Sequence, residues 1–257
     1  MPSRFRGGDV RRRVLSQNFL VDAGVVRRLV ECSGVGPGDV VVEPGPGEGA
    51  VTGVLARRVG RVLAYERDAG LAARLSRRGW GNVVCVRADF RGVAPPVGAF
   101  HLVGNIPFGA TAGIVEWCLA ARSLRSATMV TQWEYARKRS GDFGRWSLLT
   151  VSTWPEVEWG LAGRVDRSAF RPVPRVDAGI LRLVRRERPL LGPEELAWWR
   201  ELVAAGFGGV GGSLSASLSR VVGRRRVASA FRRAGVDARV PVGHVPPWVW
   251  LELFGWL

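Results

Sequence analysis

Apolar and polar positions along the chain fall into two regimes. Between residues 40 and 132, short β-branched runs alternate with amphipathic stretches, whereas beyond residue 187 only helical spacing remains. Ahead of both, Asp22 caps an expected helix reaching Ser33, with Val25, Val26, Leu29 and Val30 recurring at helical spacing. Gly34-Val35-Gly36-Pro37-Gly38 stops it. Val40-Val41-Val42 is a run suited to a strand buried on both faces of a parallel sheet. Further strands are expected at Arg61 to Glu66, Asn82 to Arg87, Phe100 to Gly104 and Ala127 to Thr131. Between and after them come helices near 50–59, from Asp68 to Arg78, from Ala112 to Ala121 and at 133–138. Residues 139–146 read as a polar loop, and two last strands are expected near 147–153 and 177–185. This alternation predicts an α/β fold, a mostly parallel sheet with helices on both faces and right-handed crossovers.

The pattern changes at Arg185-Arg186-Glu187-Arg188-Pro189. Pro193-Glu194-Glu195 opens a helix with Leu196, Trp199, Leu202 and Val203 on one face, and helices follow near 213–221, 224–234 and 247–256. Three segments are therefore expected: a flexible basic arm at 1–15, an α/β domain at 16–186 and a small all-helical domain at 187–257.

Charge changes this picture. The chain has 257 residues and a formal net charge of +16, of which +13 falls within 1–186 and +3 within 187–257. Lys138 is the sole lysine, so nearly every cation is an arginine, a side chain that forks onto phosphate and stacks on bases. GC-rich coding explains the preference for Arg over Lys but not the positive excess, which points to a polyanionic partner, nucleic acid ahead of a membrane surface. No apolar run is long enough to span a bilayer, and Ser16-Gln17-Asn18 is polar where a signal peptide needs an apolar stretch. A cytoplasmic location follows as the expectation. Cys32, Cys85 and Cys118 are widely spaced, and His101 and His244 are isolated, so neither a disulfide framework nor a metal site is expected.

The candidate chemistry sits at the carboxyl ends of successive strands, where ligands of doubly wound sheets bind. Glu43-Pro44-Gly45-Pro46-Gly47-Glu48-Gly49 spaces its glycines as G-x-G-x-G, unlike the dinucleotide fingerprint G-x-G-x-x-G. A purely structural turn accounts for this loop as well as a cofactor loop does. Glu66, ending the second strand, is placed to accept from ribose hydroxyls, and Asp89, ending the third, from an adenine amine. Singly, each acid serves equally as a solvated cap; together with Gly45 they favour an adenosine-bearing cofactor. The altered glycine spacing and the acidic Glu48 disfavour a pyrophosphate, so S-adenosylmethionine is preferred to NAD. Asn105-Ile106-Pro107-Phe108 ends the fourth strand. Pro107 keeps Ile106 out of the helical region, so the Asn105 amide oxygen and the Ile106 carbonyl can face one point and accept both hydrogens of a nucleobase amine. Phe108 offers that base a stacking face. Catalysis by such an elbow is mainly orientation of amine and methyl group for in-line displacement.

These pieces, with Ser16-Gln17-Asn18-Phe19-Leu20 before them and Phe170-Arg171-Pro172-Val173-Pro174-Arg175-Val176 after, occur in an order and spacing that resembles the erythromycin-resistance (Erm) methylases. The resemblance covers residues 12–186 well and the helical tail loosely. It implies a Rossmann-like S-adenosylmethionine-dependent methyltransferase sheet with a small C-terminal all-helical domain, acting as a monomer on N6 of one adenine of protein-free or precursor 23S ribosomal RNA. Resistance to macrolides, lincosamides and streptogramin B antibiotics follows from such a modification. By the same resemblance, Asn18 and Leu20 close over the methionine end of the cofactor, Gly45 lines its loop, Glu66 holds ribose and Asp89 adenine. Asn105 touches both cofactor and target amine, and Phe108 stacks on the flipped adenine. Arg137-Lys138-Arg139 matches a segment implicated in RNA contact, although a solvated helix end accounts for it as well. Ala178 stands where the family often has Ser and is given no role.

The sequence is also compatible with three rival readings. A small-subunit ribosomal RNA adenine dimethyltransferase of ribosome biogenesis shares the fold and most motifs, and usually carries Tyr where Phe108 stands. A non-catalytic RNA-binding relative is disfavoured by the intact Asn105 to Phe108 segment, and a nicotinamide oxidoreductase by the loop spacing.

Overall fold

The structure is a computed structural model that describes residues 18–142, 144–209 and 212–257. The basic arm expected at 1–15, together with Ser16 and Gln17, lies outside the described residues. Contacts divide the chain into two compact units. The first comprises residues up to Ala136 together with Leu161–Val184; the second comprises Arg137–Gly160 and Arg185–Leu257. The change of pattern near 186 thus falls beside a break between units, while residues 137–160, expected with the sheet, group with the C-terminal helices.

The first unit opens with β1 (Phe19–Leu20) and α1 (Ala23–Ser33). The Asp22 carboxylate accepts from Val25 N at 2.9 Å, and Gly34 at φ 73° ends the helix. Then follow β2 (Val40–Pro44), α2 (Ala50–Leu55), β3 (Arg61–Glu66), α3 (Ala69–Ser76), β4 (Val83–Arg87), β5 (Phe100–Asn105), α4 (Thr111–Ala120) and β6 (Leu124–Gln132). After α5 (Trp133–Ser140) and α6 (Leu148–Thr153) come β7 (Val157–Val165), β8 (Phe170–Arg171) and β9 (Ala178–Arg185). The seven-stranded sheet runs β4-β3-β2-β5-β6-β9-β7, and β1 pairs antiparallel with β8 in a separate two-stranded ribbon. Strands β4, β3, β2, β5 and β6 are mutually parallel, and β9 joins β6 antiparallel. The mostly parallel α/β sheet is therefore as expected.

From β2 the chain winds outward through β3 to β4, then returns to β5 on the other side of β2. The order reverses between β2 and β5, and these two strands pair only at Val41 with His101 and Val42 with Leu102. Just beyond that register Pro44 has no N–H to donate, and the crevice at such a reversal is where ligands of doubly wound sheets bind. Beneath it lies a core that includes Val41, Val62, Ala64, Val103 and Val130, all fully buried.

One expected element is wrong. Residues 147–153 form the helix α6, not a strand, and the strand is β7, ten to twelve residues later. The β-branched Thr150, Val151 and Thr153 favour a strand locally. Two features override them. Ser147 caps the helix, accepting from Thr150 N at 3.2 Å, and the indole of Trp199 donates to the carbonyls of Val151 (3.2 Å) and Ser152 (3.1 Å). Val151 is then buried in the core of the second unit among Trp199, Leu202, Val203, Phe231 and Trp250.

That core is built by α7 (Pro193–Phe207), α8 (Leu214–Ser219), α9 (Arg224–Arg233) and α10 (Pro247–Trp256). Pro193 occupies the first turn of α7, and Glu195 accepts from Gly192 N at 2.7 Å. Phe207 stacks on Trp250 with ring centroids 5.9 Å apart. Among the described residues, no helix is long and apolar enough to cross a membrane, and no cluster of three or more His, Cys, Asp or Glu is placed to hold a metal ion.

Candidate active site

The crevice holds a cavity of about 270 Å³ lined by Asn18, Gly45, Glu66, Asp89, Asn105, Ile106, Pro107 and Phe108 together with residues the motifs did not single out. Eight of the expected site positions, from five separate stretches of sequence, thus share one wall. Leu20 does not: it is 4% exposed, packs in the core and borders a neighbouring cavity of about 480 Å³ behind the glycine turn.

The turn after β2 is shaped by its glycines. Gly45, Gly47 and Gly49 all take left-handed backbone, with φ of 63°, 59° and 85°. At Gly47 a Cβ would also stand 2.8 Å from the ring of Phe19, so glycine is required there twice over. Gly45 N donates to Tyr65 O at 2.9 Å, tying the turn to the end of β3. The Glu66 carboxylate, 2% exposed, completes the tie by accepting from Gly47 N at 3.0 Å and Asp68 N at 2.8 Å. Each carboxylate oxygen so engaged retains a further lone pair for a hydroxyl.

Asp89 follows β4 and caps a single turn of 3-10 helix. Its oxygens accept from Arg91 N (3.1 Å), Nε (3.1 Å) and Nη2 (2.7 Å), with Arg67 Nη1 at 3.7 Å. The guanidinium of Arg91 holds this carboxyl down to about 2, so it is charged at any physiological pH. Arg91 and Arg67 both line the cavity.

At the end of β5 the Asn105 amide is split between two tasks. Its Nδ2 donates to the carbonyl of Asn18 at 2.7 Å, which fixes the flip of the amide. Its Oδ1 is buried and has no hydrogen-bond partner. A buried acceptor without a partner costs roughly 1–3 kcal/mol, so its retention on a cavity wall marks a place for a donor. Pro107, at φ −59° and ψ 126°, turns the chain away, and half-buried Phe108 meets Phe170 edge to face at 6.2 Å. Ile106, 1% exposed, anchors this elbow.

The basic segment Arg137-Lys138-Arg139 closes α5. Arg137 Nε donates to Asp142 at 2.5 Å, and Arg139 Nη1 to Ser147 Oγ at 2.7 Å; Lys138 is exposed.

Phe19, Tyr65, Arg67, Phe90 and Arg91 of the wall, and Glu43 behind it, carry no role in the motifs. Arg91 was signalled by its place two residues after Asp89, within reach of an Asx-type turn. Glu43, 1% exposed at the end of β2, has an Oε2 without a partner, and burial pushes its carboxyl up to about 8.

The cavity's donor set suits an adenosine-bearing cofactor beside an amine. It offers acceptors for hydroxyls, a charged acceptor for an aromatic amine, a turn that presents only Gly45 and Gly47 to it and an orphaned acceptor at its end. A family model described as ribosomal RNA adenine dimethylase matches residues 8–257. An rRNA adenine N-6-methyltransferase of Streptomyces fradiae is 51% identical over 247 residues, 95% of this chain and 77% of the relative. The ribosomal RNA small subunit methyltransferase A of Moorella thermoacetica is 34% identical over 254 residues, 90% of this chain and 87% of that one. Among solved structures, the 23S rRNA methyltransferase ErmE superposes with a TM-score of 0.90 at 48% identity, covering 93% of this chain and 99% of that one.

Proposed function

Because the chain belongs to the ribosomal RNA adenine dimethylase family, we propose that it transfers methyl from S-adenosylmethionine to N6 of one adenine in 23S ribosomal RNA. Such a modification protects the ribosome from macrolide, lincosamide and streptogramin B antibiotics. The observation that carries the reading is the buried, unpartnered Oδ1 of Asn105 on the wall it shares with Gly45, Glu66 and Asp89. Two things favour the large-subunit target over the small: identity of 48% to a 23S enzyme against 34% to a small-subunit one, and a match to that 23S enzyme along nearly its whole length.

The residues present fit the cofactor. Glu66 would accept from the ribose hydroxyls and Asp89 from the adenine amine, while Gly45 and Gly47 keep side chains out of the space between. Asn18 would border the methionine end, with Leu20 supporting it from the core. When bound, S-adenosylmethionine supplies an electrophilic methyl group on a sulfonium. The chain's own part is to hold the nucleophile. Asn105 Oδ1 and the Ile106 carbonyl accept the two hydrogens of the target amine. That polarises the N–H bonds and localises the lone pair otherwise conjugated into the purine. Pro107 keeps the two acceptors from relaxing into a helix. Phe108 stacks on the base, worth about 1–3 kcal/mol, against an unstacking cost of a few kcal/mol. Arg137, Lys138 and Arg139 would contribute phosphate contacts, with Lys138 the most available and the two arginines already oriented by Asp142 and Ser147.

The test is incubation of protein-free 23S RNA with the enzyme and S-adenosylmethionine, followed by mass spectrometry of a nuclease digest. N6-methylated adenosine confined to one position is expected. Methylation of small-subunit RNA instead, or none, refutes the reading.

A further inference from the structure

The second unit carries an aromatic cluster that the methyl-transfer chemistry does not use. Trp146 precedes α6, Trp154 follows it and Trp248 stands in the first turn of α10. Trp248 lies 5.4 Å from Trp146 and 6.1 Å from Trp154, ring centre to ring centre, and those two are 5.8 Å apart. Each ring is inclined steeply to the others, so the three indoles brace one another. Trp146 is further pinned: its ring abuts Gly141, where a Cβ would stand 2.4 Å away, and its backbone N donates to Gly243 O at 2.6 Å. Pro246 and Pro247 stiffen the approach to Trp248. Despite both neighbours, Trp248 is 55% exposed. A rigid indole left in water loses little entropy when something stacks on it.

The surroundings say what that something is. The guanidinium of Arg186 lies 5.6 Å over the Trp154 ring while pairing with Glu158, and Arg145 is exposed next to Trp146 in sequence. Hydrogen bonds run from Arg139 to Ser147 Oγ, and from Thr150 Oγ1 to the Arg139 carbonyl, joining the cluster's base to the basic end of α5. The unit holds 15 Lys and Arg against 9 Asp and Glu. Fixed aromatic faces interleaved with cations are the footprint of single-stranded nucleic acid, whose bases stack while its phosphates are neutralised. A second copy of this chain, itself +16 overall, would be opposed by like charge. We infer that Trp248, braced by Trp146 and Trp154, is a stacking platform for an unpaired nucleotide of the RNA substrate, outside the catalytic cavity. This rests on the RNA methyl-transfer reading.

The experiment measures binding of the full-length protein to oligoadenylate, and to an RNA duplex of equal length, across a salt series. Trp248→Ala should weaken oligoadenylate binding by about 5- to 150-fold without changing the slope of log affinity against log salt. Lys138→Ala, which removes a charge, should reduce that slope by about 0.7. Trp248→Phe should restore most of the loss and Trp248→Leu should not, a contrast that also serves if the alanine variant folds poorly. Affinity within twofold of wild type in Trp248→Ala overturns the platform, as does equal loss in Trp248→Phe and Trp248→Leu. A change of sedimenting mass on mutation overturns it too, by making the face a contact between copies. If wild-type protein neither binds nor methylates ribosomal RNA, the parent reading fails; if it does both and Trp248→Ala binds normally, only the platform fails.

Discussion

Glu43 gives a prediction that separates the physics of the fold from its chemistry. Its side chain is buried at the end of β2, and desolvation by that burial raises its carboxyl from the ordinary 4.5 to about 8, with the charge of Glu66 adding to the effect. The folded protein therefore keeps a proton that the unfolded chain has already lost between pH 4.5 and 8. Stability from this group is fully present below pH 4.5 and declines as pH rises through that window, at about 1.4 kcal/mol per pH step. Between pH 5 and pH 8 the loss is about 4 kcal/mol, a large share of the roughly 5–15 kcal/mol a domain commonly has. His101 works in the opposite direction: burial lowers its pKa, so its contribution is lost as pH falls. Comparison with Glu43→Gln isolates the carboxyl. The amide cannot ionise and has nearly the same shape, so the variant should match wild type near pH 5 and exceed it by several kcal/mol at pH 8. Urea unfolding followed by tryptophan fluorescence at both pH values reads the difference. Parallel pH profiles for the two proteins would mean that Glu43 is ionised in the fold, and the argument from burial would be wrong.

Asn105→Ala removes the orphaned acceptor and should cut methyl transfer by about 100-fold or more, by analogy with loss of one transition-state hydrogen bond; single-turnover rates at saturating RNA check it, and a wild-type rate refutes the elbow's role. Asp89→Asn should weaken cofactor binding by about tenfold in calorimetry, since a charged acceptor becomes neutral. Arg91→Ala should let the Asp89 carboxyl climb from about 2 back toward its ordinary 3.8, measured by carbon NMR titration; an unmoved titration would remove Arg91 as the cause. Gly206→Ala places a Cβ 2.4 Å from the Trp250 ring and should destabilise the second unit by about 1–3 kcal/mol in chemical denaturation.

The sheet was legible because its strands announce themselves locally. Val40-Val41-Val42 and the alternating Arg61 to Glu66 carry burial in their own composition, and each acid or amide at their ends occupies a place the winding rule assigns to ligands. That one cavity would gather Gly45, Glu66, Asp89 and Asn105 was legible for the same reason: they follow successive parallel strands, so topology alone brings them together. What failed depended on partners far away in sequence. Residues 147–153 are helical because Trp199 shares its one N–H between two of their carbonyls and adds to a core for Val151, and neither is visible from a window of seven residues. Residues 137–160 joined the helical unit for the same cause. The burial of Leu20 was not legible either, because its register with Phe170 is what sets its side chain in the core.

That register gives the N-terminal segment a structural purpose. Phe19 and Leu20 pair with Arg171 and Phe170; Phe170 meets Phe108; Phe108 is three residues from Asn105; and Asn105 donates back to Asn18. The contacts form a closed ring around the elbow. An amide has two ends, and only a fixed partner for one decides where the other points. Without the Asn18 carbonyl, Asn105 could flip and present a donor to the cavity, which an amine's hydrogens would meet as repulsion. The hydrogen bond from Asn105 to the Asn18 carbonyl thus makes the stretch Asn18 to Leu20 a brace for that acceptor. This also accounts for the burial of Leu20, because a brace must be held by the core if it is to hold anything else.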